Sequence, residues 1–135
     1  MITCTMHLQS ATQYERVDGV ESFIGEDASG KFGILPGHAR FMTALVFGLA
    51  RFRTAAGWQY LALPGGLLYF AGGELTINTR RFLLDVDYTR ISRLLSEQLL
   101  AEEETLHRIK ESVHRMEQEM LRRIWEIGRI GGTAS

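Results

Sequence analysis

Several short runs within roughly the first 85 residues carry apolar residues at every second position, and after that apolar residues recur at every third or fourth. Alternation of period two is the mark of a half-buried strand, because successive side chains point to opposite faces. In "TMHLQSA", Met6 and Leu8 share one face and His7 and Gln9 the other. In "VESFIGED", Val20 and Ser22 share a face and Phe23 breaks the alternation. "LARFRTA" sets Leu49, Arg51 and Arg53 against Ala50 and Phe52, and "WQYLAL" sets Trp58, Tyr60 and Ala62 against Gln59, Leu61 and Leu63. "GLLYFAGG" is continuously apolar and suits a strand buried on both faces, whereas "ELTINTRRFLLD" alternates again through Leu75, Ile77 and Thr79. The runs are punctuated by Asp18-Gly19, Ser29-Gly30, Ala56-Gly57, Gly65-Gly66 and Gly72-Gly73, all read as turns. Many short strands at close spacing predict an all-β sandwich or barrel.

From residue 88 to 129 the period changes. There is no Pro, and no Gly before Gly128. Leu106, Ile109, Val113, Met116, Met120 and Ile127 recur at helical spacing among Glu, Arg and Gln, and Ile91, Leu95 and Leu99 make a shorter stripe. Glu102, Glu103 and Glu104 interrupt the stripes and mark the expected break if the segment folds into a hairpin. The glycines of "GRIGGTAS" predict a stop and a flexible tail. The expected organisation is a β domain at 1–86, an amphipathic helical domain at 87–129 and a tail at 130–135, with no apolar pattern shared across the first junction. A narrow apolar stripe packs on something: the β domain, its own other half, or a partner subunit.

Composition narrows the functions. The chain has 135 residues, enough for one core-bearing domain, and a formal net charge of −1 from 15 basic and 16 acidic residues. That balance gives no overall attraction to nucleic acid or anionic lipid. Cys4 is the only cysteine, so there is no intrachain disulfide and no thiolate zinc cluster, as fits a reducing compartment. "MITCTMHLQSA" is not a signal peptide, and no apolar run reaches the length of a spanning helix.

Chemistry-bearing constellations are sparse. The chain lacks a phosphate-binding G-x-x-x-x-G-K-[ST] or G-x-G-x-x-G and a G-x-S-x-G elbow. His107 and His114 lie seven residues apart rather than at the four-residue spacing of a zinc pair. Cys4 and His7 point to opposite faces of a strand. No catalytic residue, metal site or cofactor is predicted. Arg80, Arg81, Arg90 and Arg93 cluster near Asp85 and Asp87, which reads as surface salt bridging before anion binding. Arg115, Arg122 and Arg123 favour the negative end of the helix and suit an acidic partner. Two further readings stay open on these residues: a β-sandwich binding module with a coiled-coil dimerisation arm at 106–127, and a small hydrolase.

"FGILPGHARFMTAL" resembles the "LGI-PGHAP-LTAL" segment of the epsilon subunit of rotary F-type ATP synthases. "PGGLLYFAGGELTI" and "DVDYTR" are similar to later motifs of that family, and "MHLQSAT" to its opening strand, all in order. The resemblance implies a ten-stranded antiparallel β-sandwich followed by helices, an α+β fold. It implies a non-catalytic, monomeric subunit of the central stalk, peripheral on the cytoplasmic face of the bacterial plasma membrane. The implied partners are the gamma subunit, the membrane rotor ring of c subunits and, through the C-terminal helices, the beta and alpha subunits, where the helices brake ATP hydrolysis. Lys31, Pro36, Gly37, His38 and Arg40 are then ring or gamma contacts, and Arg115, Arg122 and Arg123 beta contacts. Pro36 and Gly37 make a tight bend in which His38 is a contact, not a catalyst.

The chain departs from the family at several positions. Arg40 replaces a Pro, Lys31 stands where many members are acidic, and Ile91 replaces an Ala. Asp87 and Arg90 match the D-x-x-R motif through which some members bind ATP, but Glu97 stands where a second Arg is expected and repels phosphate. Such departures suit a second, divergent version of the synthase.

Overall fold

The computed structural model describes residues 2–134, and side chains for residues 2–128. The backbone is helical through Ala134, so the stop expected at the glycines of "GRIGGTAS" does not occur there, while the side chains of the tail expected at 130–135 lie outside the described residues. Contacts divide the chain into two compact units, Met1–Leu100 and Ala101–Ser135.

The first unit holds ten strands among the described residues: β1 (Cys4–Gln9), β2 (Tyr14–Val20), β3 (Ser22–Asp27), β4 (Gly30–Ile34), β5 (Phe41–Leu45), β6 (Gly48–Thr54), β7 (Gly57–Leu63), β8 (Gly66–Ala71), β9 (Glu74–Asn78) and β10 (Leu83–Asp85). They form one sheet in the order β10-β7-β6-β3-β5-β8-β9-β1-β2, with β4 added on β3. Pairing is antiparallel except between β1 and β9, which run parallel. The sheet folds over on itself as a half-barrel. Alternation along each strand sends Cys4, Met6 and Leu8, Phe23, Phe52, Leu68 and Phe70, and Leu75 and Ile77 into one core.

Phe23 is no anomaly in this fold. Val20 ends β2, Glu21 lies between the strands and β3 starts at Ser22, so the inward phase restarts and both Val20 and Phe23 are fully buried. Two glycine steps do different work from one another. Gly72 and Gly73 have φ of 58° and 76° and close the two-residue hairpin from β8 to β9, with Ala71 paired to Glu74. Asp18-Gly19 is not a turn. It sits inside β2, where the register with β1 shifts between the Cys4–Val20 and Met6–Val17 pairs, and Gly19 at φ 69° supplies the bulge.

Leu67 and Tyr69 overturn the doubly buried reading of "GLLYFAGG". They lie on the outward face of β8 and are 56% and 40% exposed, while Leu68 and Phe70 alone turn inward.

Asp87 caps the helix α1 (Tyr88–Leu94) by accepting from the backbone N–H of Thr89 and Arg90. A π-helical turn follows at Leu95–Leu99, then α2 (Leu100–Ala134). Glu102, Glu103 and Glu104 lie in the opening turns of α2, so no hairpin turn forms there. The π turn has a packing reason. Ile91, Leu95 and Leu99 recur every four residues, and in an α-helix each such step overshoots one turn by about 40°. The wider turn takes that drift back and returns Leu99 to the face of Ile91. Both are fully buried with Ala62 of β7, and Phe47, Leu49, Tyr60, Leu83 and Leu95 pack around them. An apolar cluster thus does cross the β-to-helix junction, contrary to the sequence expectation.

Arg90 fixes the start of this helix. Its guanidinium forks onto both carboxylate oxygens of Asp85, and Asp85 also accepts from the Asp87 N–H at 2.9 Å. Arg90, with the Asp87 N–H, holds the Asp85 carboxyl well below the usual carboxylate range. A depressed folded-state value means that the stabilisation is fully present above the unfolded carboxylate pKa of about 4 and is lost as pH falls towards the folded value. Asp85→Asn is therefore expected to lower the melting temperature at pH 7 and to flatten the acid limb of stability below about pH 4, read by thermal unfolding across pH. An unchanged acid limb would show that the fork carries no folding linkage. Ile91→Ala, which opens a cavity against Ala62, is expected to cost about 2–4 kcal/mol in denaturant titration.

Candidate functional site

The PGHA bend starts where β4 ends. Ile34 is buried, the next residue Leu35 is 63% exposed, and the His38 N–H donates to the Leu35 carbonyl at 2.9 Å. Pro36 and Gly37 occupy the two central positions. Gly37 is absent from the positive-φ glycines, so the turn rests on proline's fixed φ and needs no special freedom from glycine.

His38 is pinned. Its Nδ1 lies 2.7 Å from the Ala39 carbonyl, and since a carbonyl only accepts, that nitrogen carries a proton and donates. Its ring sits edge-on to Phe41 and to the buried Phe70, at 5.5 and 6.1 Å. Phe41 in turn meets Phe32 at 5.3 Å. The ring is thus a post standing on the aromatic end of the core, with Nε2 left for an outside contact.

Beside the bend, β5 pairs with β8 and places Met42 opposite Tyr69 and Ala44 opposite Leu67. Met42 is 68% exposed. These cross-strand pairs make an outward apolar face that sequence reasoning missed. The signal was present, since "FMTAL" and "GLLYFA" both carry apolar residues on the face opposite the core. An outward apolar face on a folded sheet is a candidate binding surface.

The other site residues are dispersed. Arg40 is exposed just before β5. Lys31 pairs across from Glu26 at the far end of β4. Five residue steps of extended chain lead from it to Pro36, about 16 Å. It lines a separate groove with Ile24, Arg51, Tyr60 and Tyr88, so the structure does not gather it with His38 and Arg40 around one bend. Tyr60 and Tyr88 meet edge-on at 5.4 Å, and Arg51 lies 4.8 Å from the centre of the Trp58 ring. Asp87 is a helix cap and Arg90 is engaged by Asp85, so the D-x-x-R pair does a structural job here. On α2, Arg123 bridges to Glu119 at 2.9 Å, whereas Arg115 and Arg122 have no carboxylate at bridging distance among the described residues. Cys4 is buried, and burial pushes its thiol up, away from reactive thiolate. Among the described residues no helix is long and apolar enough to cross a membrane.

Comparison with known proteins gives these surfaces a family. Residues 5–85 match the model of the ATP synthase, Delta/Epsilon chain, beta-sandwich domain. The ATP synthase epsilon chain 2 of Cereibacter sphaeroides is 37% identical over 95 residues, covering 69% of this chain and 65% of that relative. The ATP synthase epsilon chain of a Synechococcus strain is 36% identical over 70 residues, covering 50% and 52%. The matched stretches thus span about half to two thirds of the relatives' length. In the fold, a chain from the Euglena gracilis mitochondrial ATP synthase structure, described as OSCP/F1/c-ring, aligns at a TM-score of 0.56 with 19% identity, over 72% of this chain and 64% of that one. With more than half its residues inside the family model, from β1 to β10, this chain belongs to the delta/epsilon chain family of ATP synthases.

Proposed function

We propose that this chain is the epsilon-type subunit of a rotary ATP synthase, a non-catalytic part of the central stalk that couples the catalytic head to the membrane rotor ring. The observation that carries this reading is the outward apolar face of Met42, Ala44, Leu67 and Tyr69 beside the pinned His38, on a sheet of this family. That face is the gamma-binding surface, with Pro36, Gly37, His38 and Arg40 at its margin towards the ring. Lys31 makes a separate contact at the other end of β4. The complex sits peripherally on the cytoplasmic face of a bacterial plasma membrane. Similarity to the epsilon chain 2 of Cereibacter sphaeroides and the basic Lys31 and Arg40 support a second, divergent version of the synthase.

The test is capture from native membranes. The tagged chain is expected to bring down gamma, alpha and beta together, and capture of none of them would overturn the reading. Met42→Glu with Leu67→Glu places two charges in the apolar face and is expected to weaken gamma binding about tenfold or more, since desolvated interface anchors carry most binding energy.

The helices extend the function. α2 has 35 residues, about 50 Å at 1.5 Å per residue, enough to run along a stalk. Its Arg115 and Arg122 are available to acidic segments of the beta subunits. The helix thus brakes ATP hydrolysis more than synthesis. Deleting residues 106–135 is expected to raise hydrolysis by the assembled enzyme and leave assembly intact. Equal hydrolysis with and without the segment would remove the brake from this helix.

A further inference from the structure

The apolar seam of α2 is self-complementary. Ile109, Val113, Met116, Met120, Ile124 and Ile127 lie within one narrow stripe and are 46–70% exposed. Of the charges that border this stripe, Arg123 bridges within the helix to Glu119 at 2.9 Å. Lys110 and Glu117 differ. They lie seven residues apart on the same flank of the stripe, and neither has an ion-pair partner among the described residues.

We infer that, outside the synthase, two copies of this chain pair through α2 as an antiparallel coiled coil. An isologous contact requires that when residue i meets j, j also meets i. With the two-fold axis between residues 114 and 115, Val113 meets Met116 of the second copy and Ile109 meets its Met120. On the Lys110 flank, Lys110 meets Glu117 of the second copy and Glu117 meets its Lys110, so symmetry makes two ion pairs. On the opposite flank Ser112 faces Glu119 and Thr105 faces Glu126, with no like charges opposed. A parallel pair wastes this complementarity: Lys110 then faces Thr105 and Glu117 faces Ser112. Charges flanking an apolar seam set partner and orientation in coiled coils, so this arrangement selects a second copy turned end for end. In this register Leu106 falls opposite Arg123 and Ile127 opposite Glu102, so the fully apolar layers run only from Ile109 to Met120, fewer than a long coiled coil has, and the dimer is weak and dissociates on dilution. This inference does not rest on the stalk reading, and it assigns the free subunit a state in which the helix is covered.

Sedimentation velocity on the isolated full-length chain, from about 1 to about 500 µM, tests it without any other subunit. The expected result is a concentration-dependent monomer–dimer equilibrium. Lys110→Glu opposes glutamates at both pairs and is expected to raise the dissociation constant about tenfold. Lys110→Glu with Glu117→Lys restores opposite charges and is expected to restore the dimer, with helicity by circular dichroism unchanged throughout. Orientation is read by disulfide trapping under mild oxidation. Thr105→Cys with Glu126→Cys in one chain is expected to give covalent dimers, and Thr105→Cys alone none. A monomer at all concentrations, a Lys110→Glu variant that dimerises as well as the native chain, failure of the charge swap to rescue, or trapping by Thr105→Cys alone would each overturn the proposal. The capture from membranes reads different partners, so either reading fails without the other.

Discussion

The packing of Phe23, Phe52 and Phe70 between the two halves of one sheet is the constraint on which the rest of the first unit depends. The hydrogen-bonded ladder runs through all the strands, yet β3 meets β5 only at the Asp27–Leu45 pair. One such pair does not hold two layers together. The closure comes from apolar burial, where each large side chain contributes about 1.5–3 kcal/mol. Polar contacts then tidy the corner: Asp27 accepts from the hydroxyls of Ser29 and Thr43, and those bonds keep its carboxyl low.

Folding the sheet over its own inner face leaves the outer faces to be settled separately. On β6 and β7 this is done within the chain, since Ile91 and Leu99 cover Leu49 and Ala62. On β5 and β8 nothing described covers Met42, Leu67 and Tyr69. The same chain therefore shows what a covered outward face and an uncovered one look like in sequence. The covered face carries Leu49, Tyr60 and Ala62 and the uncovered one Met42, Ala44, Leu67 and Tyr69, so residue type alone does not separate them.

That distinction explains what was legible. Strand alternation in β1, β6, β7 and β9 reports a local property, the side of the sheet on which each residue lies, and it was readable from residue spacing. "GLLYFAGG" was misread because an apolar outward face says that something covers the strand, not whether the cover is the same chain or another. Phe23 and Asp18-Gly19 were misplaced for a related reason. A phase change between two strands and a bulge within one are both one-residue events, and only the register with a neighbouring strand tells them apart. The site was less legible than the fold. Lys31 and His38 are close in sequence, but β4 is extended and carries them to opposite ends. Salt bridging of the arginine cluster to Asp85 was legible from composition, but that Arg90 is the one to fork onto it depends on where β10 hands over to α1. The three glutamates at 102–104 looked like a break, but charged residues of good helix propensity do not stop a helix without a Gly or Pro.

On the two proposals the α2 seam fits more than one surface, and its composition suits that. Two of its central positions are Met116 and Met120, and methionine is unbranched and adapts to irregular contacts at little cost. A seam of β-branched residues alone would be stiffer and more exclusive. Binding to a stalk partner and binding to a second copy use the same stripe, so they exclude one another, and the balance between them follows mass action. The flanking charges then decide what the adaptable centre does not. Lys110 and Glu117 complement a reversed copy of themselves, whereas Arg115 and Arg122 point to another side of the helix and remain available when the seam is filled. Selectivity in this helix thus resides in its charged borders, while its apolar centre supplies affinity to whichever surface the borders admit.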